Sequence, residues 1–440
     1  MHPSSAAGPA TSTADADPAA DTTGDAAGAV DTATPGVDPD RPVALHPLVY
    51  LEEGDEVTVG RVETDSYAVF PPDGAQLVRW LADGLTPRQA AEAYEREHGE
   101  GVDVADLVAG LDELGFVRAV RADEAAAAPE PAAPPVRWQR LGRAAFAPLA
   151  WAGYLLVIAL AVVATVRTPD LAPRPTNIFF TPYFTVVSLV LFVGQFPLIL
   201  VHEGFHALAG RRLGLPTRLR ISHRLIFIVL ETSLDGLVAV PRRRRYLPIL
   251  AGMLADTVLT AALTLAAAVT RHADGTLSGP GRLCLALGYA TLLRLAWQAF
   301  LHLRTDLYVL LGTVLGCHDL HATAQGVLRN TVRRRLGRPL LDESAWYPAD
   351  RRAARWYAWL IVGGYAFSLA VFAAGVLPAM SRIVTDTVAR LGGRGAGGEF
   401  LDSAVFLGLT LLQLGTVAYL SLRDRHRRRA ATPATAAVPA

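Results

Sequence analysis

Apolar positions along the chain follow two regimes. From about residue 145 they gather into long runs, at 145–166, 183–209, 246–270, 283–305, 355–379 and 402–421. Each run is long enough for a helix to cross a hydrocarbon core of roughly 30 Å, so the pattern predicts six transmembrane helices. The stretch LRISHRLIFIVLETSLDGLVAVPRRRR between the second and third runs is also apolar, but Glu231, Asp235 and Gly236 interrupt it. Its Ser-Leu-Asp-Gly step between two β-rich runs predicts a hairpin that dips into the membrane instead of crossing it. Irregular backbone is tolerated at that depth where it lines a cavity. The edge strand of such a hairpin would accept an extended substrate segment by backbone pairing.

Before residue 145 the texture is that of a small soluble domain. LVYLEE, EVTVGRV and SYAVFP alternate like three short strands. DGAQLVRWLADG, TPRQAAEAYEREHG and DVADLVAGLDELGF then show helical periodicity, with Asp73, Thr86 and Asp103 expected as N-caps and Gly84, Gly99 and Gly115 as stops. Three strands followed by three helices predict an α+β, winged-helix-like domain over 45–121. Residues 1–44 carry almost no large apolar side chains and are expected to be a disordered tail. An Ala/Pro/Glu-rich linker is expected over 122–143, the membrane domain over 144–421 and a basic tail over 422–440.

Charge adds orientation. The 440 residues carry 41 basic and 41 acidic groups, and every basic residue is Arg. No apolar segment follows the start, so a cleaved secretory signal is not expected and the first domain should stay on the cytoplasmic side. With that domain inside, the predicted inner segments hold 25 Arg and the outer loops 7. This agrees with the positive-inside rule and predicts a multi-pass protein of the cell membrane with both termini cytoplasmic. The region 46–121 holds 16 acidic against 6 basic residues. A winged helix of that charge excludes nucleic acid, whose phosphates require a basic patch, and suits a peptide instead. Cys284 and Cys317, far apart in apolar surroundings, are expected to be fillers without a disulfide.

The chemistry concentrates in LILVHEGFHALAGRRLG, 198–214. On a helix His202 and His206 share a face and Glu203 projects beside them. Two neutral imidazoles one turn apart suit a tetrahedral Zn²⁺, and an adjacent carboxylate suits a general base. Ionisable residues within an apolar span are costly, which makes the cluster a functional candidate. A third ligand is required, and Asp306, Asp256 and His302 are the candidates in membrane-adjacent sequence. His318 and His321 are expected to face solvent.

Two resemblances extend these readings. The aromatic third strand followed by LADGLTPRQAA resembles the PqqD-like peptide-chaperone domains, over 45–121. The resemblance implies that a leader peptide adds as a strand beside Tyr67, Val69 and Phe70 and packs against Leu107, Leu111 and Leu114. HEGFH, then PRRRRYLPILAGMLAD, then LRTDLYVLLG resemble, in order, the site-2 protease family of intramembrane zinc metalloproteases, over 145–316. That likeness implies zinc held by His202, His206 and Asp306, with Glu203 activating water. The sequence departs from the family in having Arg304, Thr305, Asp306 and Leu307 where many members carry Asn-Pro-Asp-Gly. It also has Phe205 where Gly often precedes the second histidine.

Together the expectation is a zinc metalloendopeptidase that hydrolyses a captured peptide or membrane-associated substrate, in maturation or export of a ribosomally made modified peptide. Its partners would be a leader peptide, the lipid bilayer, and peptide-modifying enzymes or an exporter. The alternatives are a non-proteolytic peptide receptor or export partner, and a regulated protease that releases a transcription regulator.

Overall fold

The computed structural model describes residues 38–118, 136–224, 227–344, 346–394 and 397–430, so most of the expected N-terminal tail, most of the linker and the last ten residues lie outside it. The first domain is built as the alternation predicts. Strands β1 (Val49–Glu53), β2 (Glu56–Arg61) and β3 (Ser66–Phe70) form an antiparallel sheet in the order β1-β2-β3. Helices α1 (Pro72–Ala82), α2 (Pro87–His98) and α3 (Val104–Glu113) cover one face of it.

Thr86 forms a capping box with Gln89, and Asp103 accepts from Ala105 and Asp106. Asp73 is no cap. Pro71 holds that position, and the Asp73 carboxylate instead accepts a hydrogen bond of 2.6 Å from Tyr94 on α2. That bond holds Asp73 below the usual carboxylate range.

Side chains alternate across β2. Val57 and Val59 join Leu77, Val78, Leu81, Leu111 and Phe116 in the core, while Thr58 and Gly60 face the other way, opposite Val69 and Tyr67 of β3. The Tyr67 ring lies over Gly60, where any Cβ would collide with it.

Among the described residues four helices are long and apolar enough to cross a membrane: Pro148–Arg167, Phe184–Arg212, Arg242–Val269 and Pro348–Ala374. The first three are α5, α6 and α7, with α4 (Gln139–Ala145) ahead of α5. α4 occupies the end of the expected linker. It packs on α6 so closely that a Cβ on Gly142 would meet the Leu208 carbonyl at 2.4 Å. Large apolar side chains such as Leu155, Leu160, Leu189 and Phe192 stand exposed along α5 and α6, as expected of surfaces that lipid covers. The remaining expected spans fall on α8 (Gly279–Trp297) and on α13 (Gly397–Ala430), which also takes in the start of the expected basic tail.

Four further helices precede α13. They are α9 (Asp306–Leu315), α10 (Leu320–Arg335), α11 (Pro348–Val371) and, continuing it through a π-helical turn, α12 (Leu377–Ala389).

Two expectations are corrected. The apolar run 283–305 is not one helix: it ends at Trp297, and a 3-10 turn at Leu301–Leu303 and Arg304 in the left-handed region lead into α9. The Thr305 hydroxyl donates to the Gln298 carbonyl and the Asp306 amide to the Gln298 side chain. These bonds satisfy the broken helix ends. The hairpin is present as β4 (Thr217–Arg224) paired antiparallel with β5 (Phe227–Leu234), but the chain reverses between 224 and 227, not at Ser-Leu-Asp-Gly. That step ends β5, because Gly236 is left-handed (φ 83°) and starts a 3-10 turn at Leu237–Ala239.

Leu111, expected to touch peptide, is 1% exposed and belongs to the core of the first domain. Leu111→Ala is therefore expected to cost that domain about 2–5 kcal/mol, the range for a buried Leu, measured by urea unfolding. A change within about 0.5 kcal/mol would place the side chain outside the core.

Candidate metal centre

His202 and His206 occupy successive turns of α6 on the face that packs against α7, and Asp306 opens α9. The helix periodicity places both rings together, and the break after α8 aims the carboxylate at them. The two Nε2 atoms are 3.2 Å apart, and Asp306 Oδ2 lies 3.5 Å from His202 Nε2 and 3.3 Å from His206 Nε2. All three residues are buried, and they form the one group of ligand-type side chains, among the described residues, that could hold a metal ion.

The outer ring nitrogens decide what meets at that point. His206 Nδ1 lies 2.7 Å from the Pro248 carbonyl, a pure acceptor, so this nitrogen carries the proton and donates. His202 Nδ1 lies 3.0 Å from Asp256 Oδ2, a contact outside hydrogen-bond geometry in which the neighbouring carboxylate still favours the proton on this nitrogen. Both Nε2 atoms then present lone pairs, and Asp306 Oδ2 is buried without a hydrogen-bond donor. Three acceptors within 3.5 Å of one another repel unless a metal ion or a shared proton sits among them, and the group could hold such an ion. A tetrahedral ion with bonds of about 2.0–2.1 Å separates its ligands by about 3.3–3.4 Å, close to the spacing observed.

α7 supplies the opposite wall through one stripe. Pro248, Gly252 and Asp256 stand four residues apart and so share a face. Pro248 fixes His206 and Asp256 fixes His202. Gly252 leaves room between them: a Cβ there would lie 2.3 Å from His206 Nε2 and 2.5 Å from His202 Nε2.

Asp256 is fully buried, and its two oxygens accept from Arg294 of α8, which also donates to Gln195 at 2.9 Å. The guanidinium supplies the countercharge that a buried carboxylate requires. Asp256 is thus a partner of a ligand and not a member of the group.

Glu203 is half-buried beside the ligands. Its carboxylate accepts the Thr232 amide of β5 at 2.8 Å, and the Thr232 hydroxyl donates back to the Glu203 carbonyl at 3.0 Å. His302 lies elsewhere: it is buried with its Nε2 3.0 Å from the Ser368 hydroxyl and its ring against Gly364. His318 is exposed. His321 is not, because Tyr308 and Tyr357 enclose it. Burial pushes its pKa down.

In the first domain Tyr67 is buried, Val69 and Phe70 are half-buried, and Leu107 and Leu114 pack on the core. β3 pairs with β2 alone among the described residues, which leaves its outer edge a backbone template. Cys284 and Cys317 are free and half-buried in apolar clusters.

Comparison of the chain with protein-family models, with curated proteins and with solved structures returned no match. The site therefore rests on its own geometry. Gly252, Pro248, Arg294, Gln298 and Thr232 are the members that sequence reading missed. The four-residue spacing of Pro248, Gly252 and Asp256 was the available signal for the first two. Arg294 had a weaker one, as a charge inside an apolar helix.

Gly252→Ala is expected to abolish stoichiometric metal in the purified protein, measured by elemental analysis. Retention of full metal content would show that the ring nitrogens do not meet there. Asp256→Asn is expected to weaken metal affinity about 10–100-fold, as for other partners of ligating histidines, measured by competition with a chelator.

Proposed function

We propose that this protein is an intramembrane zinc metalloendopeptidase that acts on a peptide captured by its N-terminal domain. The convergence of two imidazole nitrogens and a carboxylate beside Glu203, whose own carboxylate is held by the Thr232 amide, carries the reading. Two nitrogens, one oxygen and an open fourth position are the donor set of catalytic zinc sites. A zinc ion there would supply Lewis acidity toward a peptide carbonyl and a water.

The chain's own residues do the rest. His202 and His206 are held in the ligating tautomer by Asp256 and the Pro248 carbonyl. Glu203 is general base, and its carboxylate is aimed by the Thr232 amide. The proton it takes from the attacking water it returns to the leaving nitrogen as the C–N bond breaks, which gives the carboxylic acid and the neutral amine; the acid's proton then passes to the amine, and the products ionise to carboxylate and ammonium. Placement within α6 and α7 surrounds the reaction with apolar walls that exclude bulk water.

The N-terminal domain, PqqD-like in its pattern of three strands and three helices, would bind a leader peptide along the outer edge of β3 by strand addition. Tethering by the linker raises the effective concentration of that peptide at the site. The Arg asymmetry of the loops supports a multi-pass protein of the cell membrane with both termini, the domain and the HEGFH end of α6 on the cytoplasmic side. The work this architecture suits is maturation or export of a ribosomally made modified peptide, alongside modifying enzymes or an exporter.

Glu203→Ala is expected to retain metal but lose cleavage of a co-expressed precursor by about 10²–10⁴-fold, the contribution of a general base, measured by mass spectrometry. Equal processing by the variant and the wild type would overturn the reading.

A further inference from the structure

The face of the N-terminal sheet that its helices leave uncovered meets the membrane domain. Glu53, at the end of β1, accepts from the Arg242 backbone amide at 2.7 Å and from its Nε at 2.9 Å, and from Arg245 at 3.2 Å. Arg245 ties the same carboxylate to the carbonyls of Val238 and Val240. Asp65, in the β2–β3 turn, accepts the Gly236 amide at 2.9 Å, and Tyr347 donates to Glu56. Val62 and the Tyr67 hydroxyl lie against Gly236, whose left-handed backbone and missing side chain allow the approach. Thr58 and Tyr67, on the face away from the core, are therefore buried. Burial pushes the Tyr67 phenol well above its usual pKa, so it stays neutral there.

The Glu53 and Asp65 contacts end at the start of α7 and just beyond the end of β5, the elements that flank the metal centre. α7 begins at Arg242 behind Pro241, which offers no capping side chain, so Glu53 caps it from another domain. α7 carries the Pro248, Gly252 and Asp256 stripe. Gly236 terminates β5 four residues after Thr232, whose amide holds Glu203.

We propose that Glu53 and Asp65 are positioning residues: docking of the N-terminal domain fixes the end of β5 and the start of α7, and thereby sets the orientation of Glu203. The inference rests on the protease reading for its catalytic meaning. The docking itself does not. Because Tyr67 is spent on this interface, a captured peptide is left with the outer edge of β3, and its arrival beside Gly236 would be transmitted to Glu203 along β5.

Hydrogen exchange of the full-length protein in detergent tests the coupling at peptides containing Thr232. Glu53→Arg and, independently, Asp65→Ala are expected to raise exchange there at least about tenfold while α10 and α11 keep their protection. The swap of Glu53→Arg with Arg242→Glu is expected to restore most of it, and zinc content should be unchanged in all three. Unchanged exchange at Thr232 in both single variants overturns the proposal, as does a rise spread equally over α10 and α11 or a swap without rescue. Loss of the protease reading would show separately, as cleavage that survives Glu203→Ala.

Discussion

Three acceptor atoms held within 3.5 Å of one another below the protein surface are the constraint on which the rest of this structure depends. Each alone is ordinary. Together they repel unless a metal ion or a shared proton lies among them, and the surroundings hold them in place. A carbonyl and a carboxylate on α7 hold the two ring protons on the far nitrogens, Gly252 withholds the one side chain that would fill the space, and Arg294 neutralises the carboxylate that does the holding. The close packing of α6 on α7 and the break between α8 and α9 bring these atoms together.

A second regularity is that helix ends are satisfied from far away in sequence. α6 starts without a cap of its own, and Asp402 of α13 accepts the amides of Phe184 and Thr185. Glu53 serves α7, Gln298 serves α9, and Asp350 of α11 accepts the amides of His318 and Asp319 ahead of α10. Within an apolar domain an unpaired amide finds no water, so each such bond matters more than it would on a soluble surface. These bonds also link α13, α11 and the N-terminal domain to the helices that carry the site.

What was legible in the sequence is what depends on local spacing. The alternation in 49–70 located three strands, Thr86 and Asp103 marked helix starts, and the i, i+4 interval put two imidazoles on one face. Hydropathy found the long helices but overran Trp297, because Thr305 and Gln298 end the helix by bonds that average apolarity does not register. Asp73 looked like a cap until Tyr94, 21 residues on, claimed its carboxylate. His321 looked exposed because its neighbours in sequence are polar, whereas its neighbours in space are Tyr308 and Tyr357. The acidic character of the first domain was read as a preference for peptide, yet three of its carboxylates, on Glu53, Glu56 and Asp65, are engaged by the membrane domain. The capping and burial misses are pairings between residues distant in sequence, whereas the helix break at Trp297 is set over seven or eight residues.

The measurement that bears most directly on this account is X-ray absorption at the zinc edge of the full-length protein purified in detergent without added metal. The proposed function predicts one zinc per chain in a four-coordinate shell of nitrogen and oxygen only, two of the ligands imidazoles, at about 2.0–2.1 Å. A shell containing sulfur, a six-coordinate hydrated ion, or protein that folds and carries no metal would contradict it.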